Sequence, residues 1–193
     1  VAYYHQTGED RDGKNLNAYH YTLSANYSKG KFSAGPGVDV LSGNKLGTPA
    51  SESKRFDPLY GTPHKFWGYM DYFYAGTNSP VAGLLNYYVK TKFTSGGLIL
   101  AGDYHHFAVP NGLAATTQND LGDEIDLSAN YTLNRFTSIE LGYSIMFAAR
   151  DAMKAAKGQA ATNLDKLGKF GYLTLNIRPD FLYSNPHHNT PDK

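Results

Sequence analysis

Residues 124–134 read Glu-Ile-Asp-Leu-Ser-Ala-Asn-Tyr-Thr-Leu-Asn, and polar and apolar side chains alternate at every step. After a short turn, residues 138–145 repeat the alternation as Ser-Ile-Glu-Leu-Gly-Tyr-Ser-Ile. Successive side chains of a β-strand point to opposite faces, so each segment presents one face to an apolar medium and the other to a polar one. The alternation lasts for roughly ten residues, the length of a tilted strand that crosses a bilayer. The pattern predicts the wall of a transmembrane antiparallel β-barrel in a bacterial outer membrane.

The same alternation predicts eight strands along the chain. They lie at 1–7, 17–28, 31–42, 84–94, 97–109, 122–134, 136–148 and 170–182. The connections at 28–31, 94–97 and 134–137 are tight, with Gly, Asn or Ser at the turn positions. The connections at 8–16, 43–83, 110–121 and 149–169 are long.

This sorting of short and long connections matches bacterial barrels, which have short periplasmic turns and long external loops. The two kinds alternate along the chain only if 43–83 adds an even number of crossings, most simply none. We therefore expect 43–83 to be one large external segment that folds over or into the pore, despite its strand-like residues 66–74. Residues 1–183 would form the barrel wall with its loops, and 184–193 a polar tail.

Composition is compatible with a barrel and excludes few other classes. The chain has 193 residues, 16 Tyr, 10 Phe, no Cys and a net charge of +1. A near-neutral chain with scattered basic residues gives no reason to expect a nucleic-acid partner. The mean hydropathy of −0.47 would suit a soluble protein, but half of every barrel strand also faces water.

The polar faces of the strands supply candidate lumen-lining residues. We expect nine charged side chains to face inward: Asp39, Lys90, Lys92, Asp103, Glu124, Asp126, Glu140, Arg178 and Asp180. This set is acid-leaning, and acidic rings favour cations. The basic members are candidates for anion contact, although ion pairing with neighbouring carboxylates is the favoured interpretation.

The 43–83 segment concentrates aromatic and polar side chains that are candidates for a pore loop. Its candidate residues are His64, Lys65, Trp67, Tyr69 and Asp71. Aromatic faces beside polar groups suit sugar stacking or a pore constriction, and a loop that simply plugs the barrel mouth is equally consistent with them. The chain has no nucleophile elbow, P-loop or HExxH motif, so we expect no enzyme activity, metal site or cofactor.

Several segments resemble a known family. They are Gln6-Thr-Gly8, Asn17-Ala-Tyr19, Gly37-Val-Asp-Val-Leu-Ser-Gly43 and, most specifically, Phe56-Asp-Pro-Leu-Tyr-Gly-Thr-Pro-His-Lys-Phe-Trp-Gly-Tyr-Met-Asp-Tyr-Phe73. These look like the C-terminal half of bacterial alginate-export outer-membrane proteins. The ending Tyr172-Leu-Thr-Leu-Asn-Ile-Arg-Pro-Asp-Phe-Leu182 is similar to the final strand of Bacteroidetes members. The resemblance implies a barrel of roughly eighteen strands, with the missing N-terminal half as partner, and passage of an anionic polysaccharide.

We therefore expect an outer-membrane channel for passive passage of polysaccharide or small hydrophilic solutes. Its partners would be the lipid bilayer with its lipopolysaccharide, the N-terminal half of the same barrel, and the solute. One alternative is a self-contained eight-stranded barrel with a structural or adhesion role. A soluble periplasmic barrel that binds a small ligand is the second alternative.

Overall fold

The computed structural model describes residues 1–59, 62–73, 79–113, 119–157 and 167–179. These residues form ten strands and one helix: β1 (Ala2–Glu9), β2 (Asn15–Ser24), β3 (Tyr27–Lys29), β4 (Phe32–Leu41), β5 (Glu52–Ser53), β6 (Leu84–Ser95), β7 (Leu98–Ala108), β8 (Asp120–Asn134), β9 (Thr137–Ala148), α1 (Arg150–Lys157) and β10 (Leu167–Ile177). The predicted all-β fold is confirmed.

The strands form a single sheet with the order β1-β2-β4-β6-β7-β8-β9-β10. Each of these eight strands pairs antiparallel with its neighbour on this path, while β3 pairs with β4 and the two-residue β5 runs parallel to β2. Within the described residues, β1 and β10 are the two free edges. The sheet is therefore open and does not close on itself as an eight-stranded barrel.

Two predicted strands differ most from the structure. The strand expected at 17–28 divides at residues 25–26 into β2 and β3, both of which pair with β4. The strand expected at 170–182 ends at Ile177, and Pro179, which lacks a donor N–H, follows two residues later.

Connections of different length lie at opposite ends of the sheet. Tight turns join β3 to β4, β6 to β7 and β8 to β9, whereas the chain segments that follow β1, β4, β7 and β9 lie at the other end. Between β4 and β6, the described residues contain no strand longer than β5, and 62–73 consists of turns and bends. The 43–83 segment accordingly adds no long strand to the described sheet.

The two faces of the sheet differ in chemistry. On one face, which we call the outer face, Leu127, Leu141 and Leu175 are 52%, 57% and 58% exposed. On the opposite inner face, Glu124 and Asp126 are 0% and 1% exposed. The apolar side chains thus point away from the folded interior, which is the reverse of a soluble sandwich.

The core lies between the inner face and the 43–83 segment. Phe73 packs on Phe107 of β7 with ring centroids 4.6 Å apart. The helix α1 adds Ala152, Met153 and Ala156 to this core and contacts β8. In the described part of the chain, no helix is long and apolar enough to span a membrane.

Candidate functional site: the inner face and its covering segment

Two carboxylates of β8 hold the 43–83 segment against the inner face. The backbone N–H of Met70 donates to Glu124 Oε1 at 2.8 Å, and that of Tyr69 donates to Asp126 Oδ2 at 3.3 Å. Both carboxylates are buried. A hydrogen bond of this kind contributes roughly 0.5–1.5 kcal/mol net, and leaving its buried partner unpaired costs about 1–3 kcal/mol. Glu124 and Asp126 therefore anchor the segment as well as lining the sheet.

Glycine is required at the point of contact. Gly68 has a φ of +86°, and a Cβ there would lie 2.6 Å from the carboxyl carbon of Glu124. Three other residues of this turn, His64, Trp67 and Asp71, also have positive φ, between 53° and 57°. Such backbone costs roughly 1–3 kcal/mol per residue and persists only where surrounding contacts impose it.

Side chains of the turn fix its shape from within. Asp71 Oδ1 accepts a hydrogen bond from the His64 N–H at 2.8 Å, and His64 Nδ1 lies 2.8 Å from the Tyr69 carbonyl oxygen. The His64 ring stacks on Phe170 of β10 at 5.2 Å, while Trp67 meets His20 of β2 edge-on at 5.8 Å. The turn therefore spans the inner face from β2 to β10.

The surroundings of Tyr69 within the turn change the pH at which its hydroxyl ionises. Burial raises the pKa of Tyr69 to about 12, with the negative charges of Asp103, Asp126 and Glu140 adding to the effect. The phenol therefore stays protonated, and can still donate a hydrogen bond, at a pH where an exposed tyrosine would already ionise.

The predicted lumen-lining residues that the structure describes share the inner face but differ in accessibility. Lys90, Asp103 and Asp126 lie side by side in one cross-strand row, and Lys90 is ion-paired with Asp103. Asp39, Asp103, Glu124 and Asp126 are buried, whereas Lys92 and Arg178 are exposed. Among the described residues, neither Lys92 nor Arg178 forms an ion pair. Asp180 lies outside the described residues.

A buried polar network connects five strands behind the turn. Asn86 of β6 donates to Asp39 Oδ2 at 3.0 Å and contacts His105 Nδ1 through its Oδ1 at 2.9 Å. His105 Nε2 lies 3.8 Å from Asp126 Oδ2, and Asp39 Oδ1 lies 3.6 Å from His20 Nε2. The predicted site residues do not include Asn86, although the alternation of β6 places its side chain on the inner face with Lys90 and Lys92.

A second polar group lies nearer the tight turns. Glu140 accepts hydrogen bonds from Tyr172 Oη at 2.7 Å and from Asn130 Nδ2 at 3.1 Å. Its charge is thus partly engaged by neighbouring strands. Lys65 of the predicted pore loop lies over the Phe66 ring at 5.4 Å.

The side chains of the inner face and of the 43–83 segment offer hydrogen-bonding groups and aromatic rings that could contact a solute. Within the described ranges, no group of three or more His, Cys, Asp or Glu side chains could hold a metal ion. No protein-family model and no curated protein matches the chain significantly. A functional assignment therefore depends on the two-faced sheet and on its covering segment.

Proposed function

We propose that this chain forms part of the wall of a β-barrel channel in a bacterial outer membrane, through which hydrophilic solutes diffuse passively. The observation that carries the proposal is the exposed apolar outer face. An exposed apolar surface of this extent is unusual for a soluble monomer and suits contact with hydrocarbon. Lipid and lipopolysaccharide would surround that face, and the proposal involves no catalytic step.

The length of the apolar band supports a membrane environment. On β8, the outward residues from Ile125 to Leu133 are apolar and extend about 26 Å at ~3.3 Å per residue. A usual tilt of ~40° reduces this to about 20 Å, close to the ~25 Å band of outer-membrane barrels. At the end nearer the long connections, Tyr104 and His106 both bond to Asp123 on this face. Polar and aromatic groups there suit the membrane interface.

Closure of the barrel requires additional strands. The interior of an eight-stranded barrel has room only for the side chains of its own strands. The inner face of this sheet is also covered by the folded 43–83 segment, which carries Trp67 and Phe73 and needs a wider interior. We infer that the free edges of β1 and β10 pair with further strands, to give roughly the eighteen that the alginate-export resemblance implies. This disfavours the self-contained eight-stranded alternative.

The accessible charges set the expected solute preference. Four of the predicted lining carboxylates are buried and a fifth, Glu140, is hydrogen-bonded within the sheet, while Lys92 and Arg178 are exposed. Basic lining favours anions. The proposed solutes are therefore small hydrophilic anions or polysaccharide, in a lumen narrowed by the 43–83 segment.

Single-cysteine labelling tests the orientation of the wall, because these 193 residues contain no Cys and any cysteine elsewhere in the full-length protein is first replaced by serine. Leu127 and Ser128 are neighbours on opposite faces of β8. In proteoliposomes of the full-length protein, Leu127→Cys should resist a water-soluble maleimide, and Ser128→Cys should react through the lumen. Rapid labelling of Leu127→Cys in lipid would contradict a hydrocarbon-facing outer face.

A further inference from the structure

A cavity of about 530 Å³ lies on the inner side of the sheet, between β1, β2 and the 43–83 segment. Its size is within the range of small-molecule sites. The residues that define its walls are Tyr4, Gln6, His20, Phe56, Phe66 and Trp67.

Aromatic rings form one continuous wall of this cavity. Tyr4 stacks on His20 with centroids 5.5 Å apart and planes 18° apart. Behind them, His20 packs on Phe56 at 5.3 Å and on Trp67 at 5.8 Å. Tyr4 and Phe66 remain 54% and 46% exposed, so their rings are available to a ligand.

The shape of the cavity is fixed by a polar clamp. The Gln6 side chain donates to the Asp57 carbonyl oxygen at 2.6 Å and accepts from the Asp57 N–H at 3.0 Å. These paired bonds hold the 43–83 segment to β1. The aromatic wall is therefore largely pre-formed, which reduces the entropy lost when a ligand binds.

The lining contains no Asp, Glu, Lys or Arg side chain. A carboxylated or phosphorylated ligand would be desolvated there without a compensating cation. The cavity nonetheless opens on the polar inner face, where a purely apolar ligand would have little access. A sugar ring fits both conditions, since its C–H face packs on aromatic rings and its hydroxyls remain in water.

We propose that this cavity is a binding subsite for a sugar ring of an uncharged saccharide. The inference builds on the proposed function, because a solute in the lumen would meet this aromatic wall. It also specifies a solute class for that function. The subsite binds neutral sugar rings, while the exposed side chains of Lys92 and Arg178 act on anions elsewhere in the lumen.

Fluorescence of Trp67, taken as the difference in emission between the protein and its Trp67→Phe variant, tests the subsite directly, and Trp67 is the only tryptophan of the 193 residues. The full-length protein in detergent is titrated with maltohexaose and, separately, with an oligogalacturonate of equal length. Maltohexaose should change the Trp67 emission saturably, in roughly the millimolar range, and oligogalacturonate should not. Absence of a saturable change with maltohexaose, or an equal response to both, overturns the subsite.

Two neighbouring tyrosines supply a matched pair of variants. Tyr4→Ala removes a ring of the cavity wall and should weaken maltohexaose binding about five- to tenfold. Tyr3→Ala removes a similarly exposed ring from the outer face and should leave binding unchanged. Equal effects would overturn the proposal. Phe66→Ala repeats the test at the second exposed ring of the cavity if Tyr4→Ala folds poorly.

Conductance in planar bilayers, measured on the same preparations, separates the subsite from the channel. Conductance without a fluorescence response rejects the sugar subsite and leaves the channel standing. A saturable response without conductance rejects the channel and keeps the sugar site.

Discussion

Gly68 is the residue whose replacement most directly tests how the 43–83 segment docks. Both Gly68 and Gly47 have left-handed backbone, with φ of +86° and +83°, but only Gly68 would bring a Cβ against Glu124. Gly47→Ala should therefore cost about 1–2 kcal/mol of strain alone. Gly68→Ala should cost clearly more, because the turn must also leave its carboxylate anchor. Urea unfolding of both variants in detergent measures the difference, and equal losses would contradict the docking.

In the proposed channel, Glu124 should control how far the 43–83 segment fills the lumen. Glu124→Ala removes the acceptor of the Met70 N–H and leaves that amide without its partner, a loss of roughly 1–3 kcal/mol. The turn should then spend more time away from the sheet, and single-channel conductance should rise or fluctuate. Glu140→Ala is the control, since Glu140 bonds to Asn130 and Tyr172 and not to the turn. Identical conductance of Glu124→Ala and the wild type would exclude an anchoring role.

The helix α1 contains a lysine whose charge is unfavourable in the folded state. Burial lowers the pKa of Lys157 to about 8, and the positive charge of Arg55 adds to this effect. The unfolded chain, with a pKa of 10.5, binds more protons between these values, so stability should rise with pH from about 8 to 10.5. Below pH 8, Lys157 is charged in both the folded and the unfolded state, and the full free-energy cost of burying that charge remains.

Lys157→Met should therefore stabilise the folded protein at pH 7, and this gain should shrink as the pH approaches 10. Thermal unfolding of wild type and variant between pH 7 and 9.5 measures it, with Lys154→Met on the same helix as the control. A gain that does not change with pH would mean that packing of the new side chain, and not charge removal, is responsible.

The strands were predictable because each obeys a period of two over most of its length. The alternation of β8 places Leu127 outward and Asp126 inward, as the structure shows. The end of β10 was less predictable, since Asn176 and Arg178 continue the alternation although pairing stops at Ile177. Alternation reports which side of a strand is polar, but it does not report where the partner strand ends.

The docking of the 43–83 segment could not be predicted from residue types. Its bonds to β8 come from the backbone N–H groups of Tyr69 and Met70, which any residue except proline could supply. The positive φ of Trp67 is likewise imposed by tertiary contacts, because bulky residues disfavour that conformation. For the same reason, the sequence could place Glu124 and Asp126 on the inner face without revealing that they are covered.

At the scale of the whole molecule, the ion selectivity of the proposed channel depends on which lining charges a passing ion can approach. A count of charges by strand face is acid-leaning and favours cations. In the folded chain, Glu124 and Asp126 are covered by the turn, and Asp103 is paired with Lys90. Glu140 is half-buried and hydrogen-bonded, so the exposed predicted lining charges are those of Lys92 and Arg178. The proposed full-length channel should therefore prefer anions modestly, as measured by the reversal potential in a salt gradient across a planar bilayer.

Neutralising one exposed and one covered charge distinguishes the two sources of selectivity. Lys92→Gln should shift the reversal potential toward cations, because it removes a charge that a passing ion can approach. Asp126→Asn should shift it little while the segment stays docked, since its carboxylate is 1% exposed. A cation-selective wild type whose preference falls on Asp126→Asn would show that the carboxylates face the solute path, and that the segment leaves the inner face in the open channel.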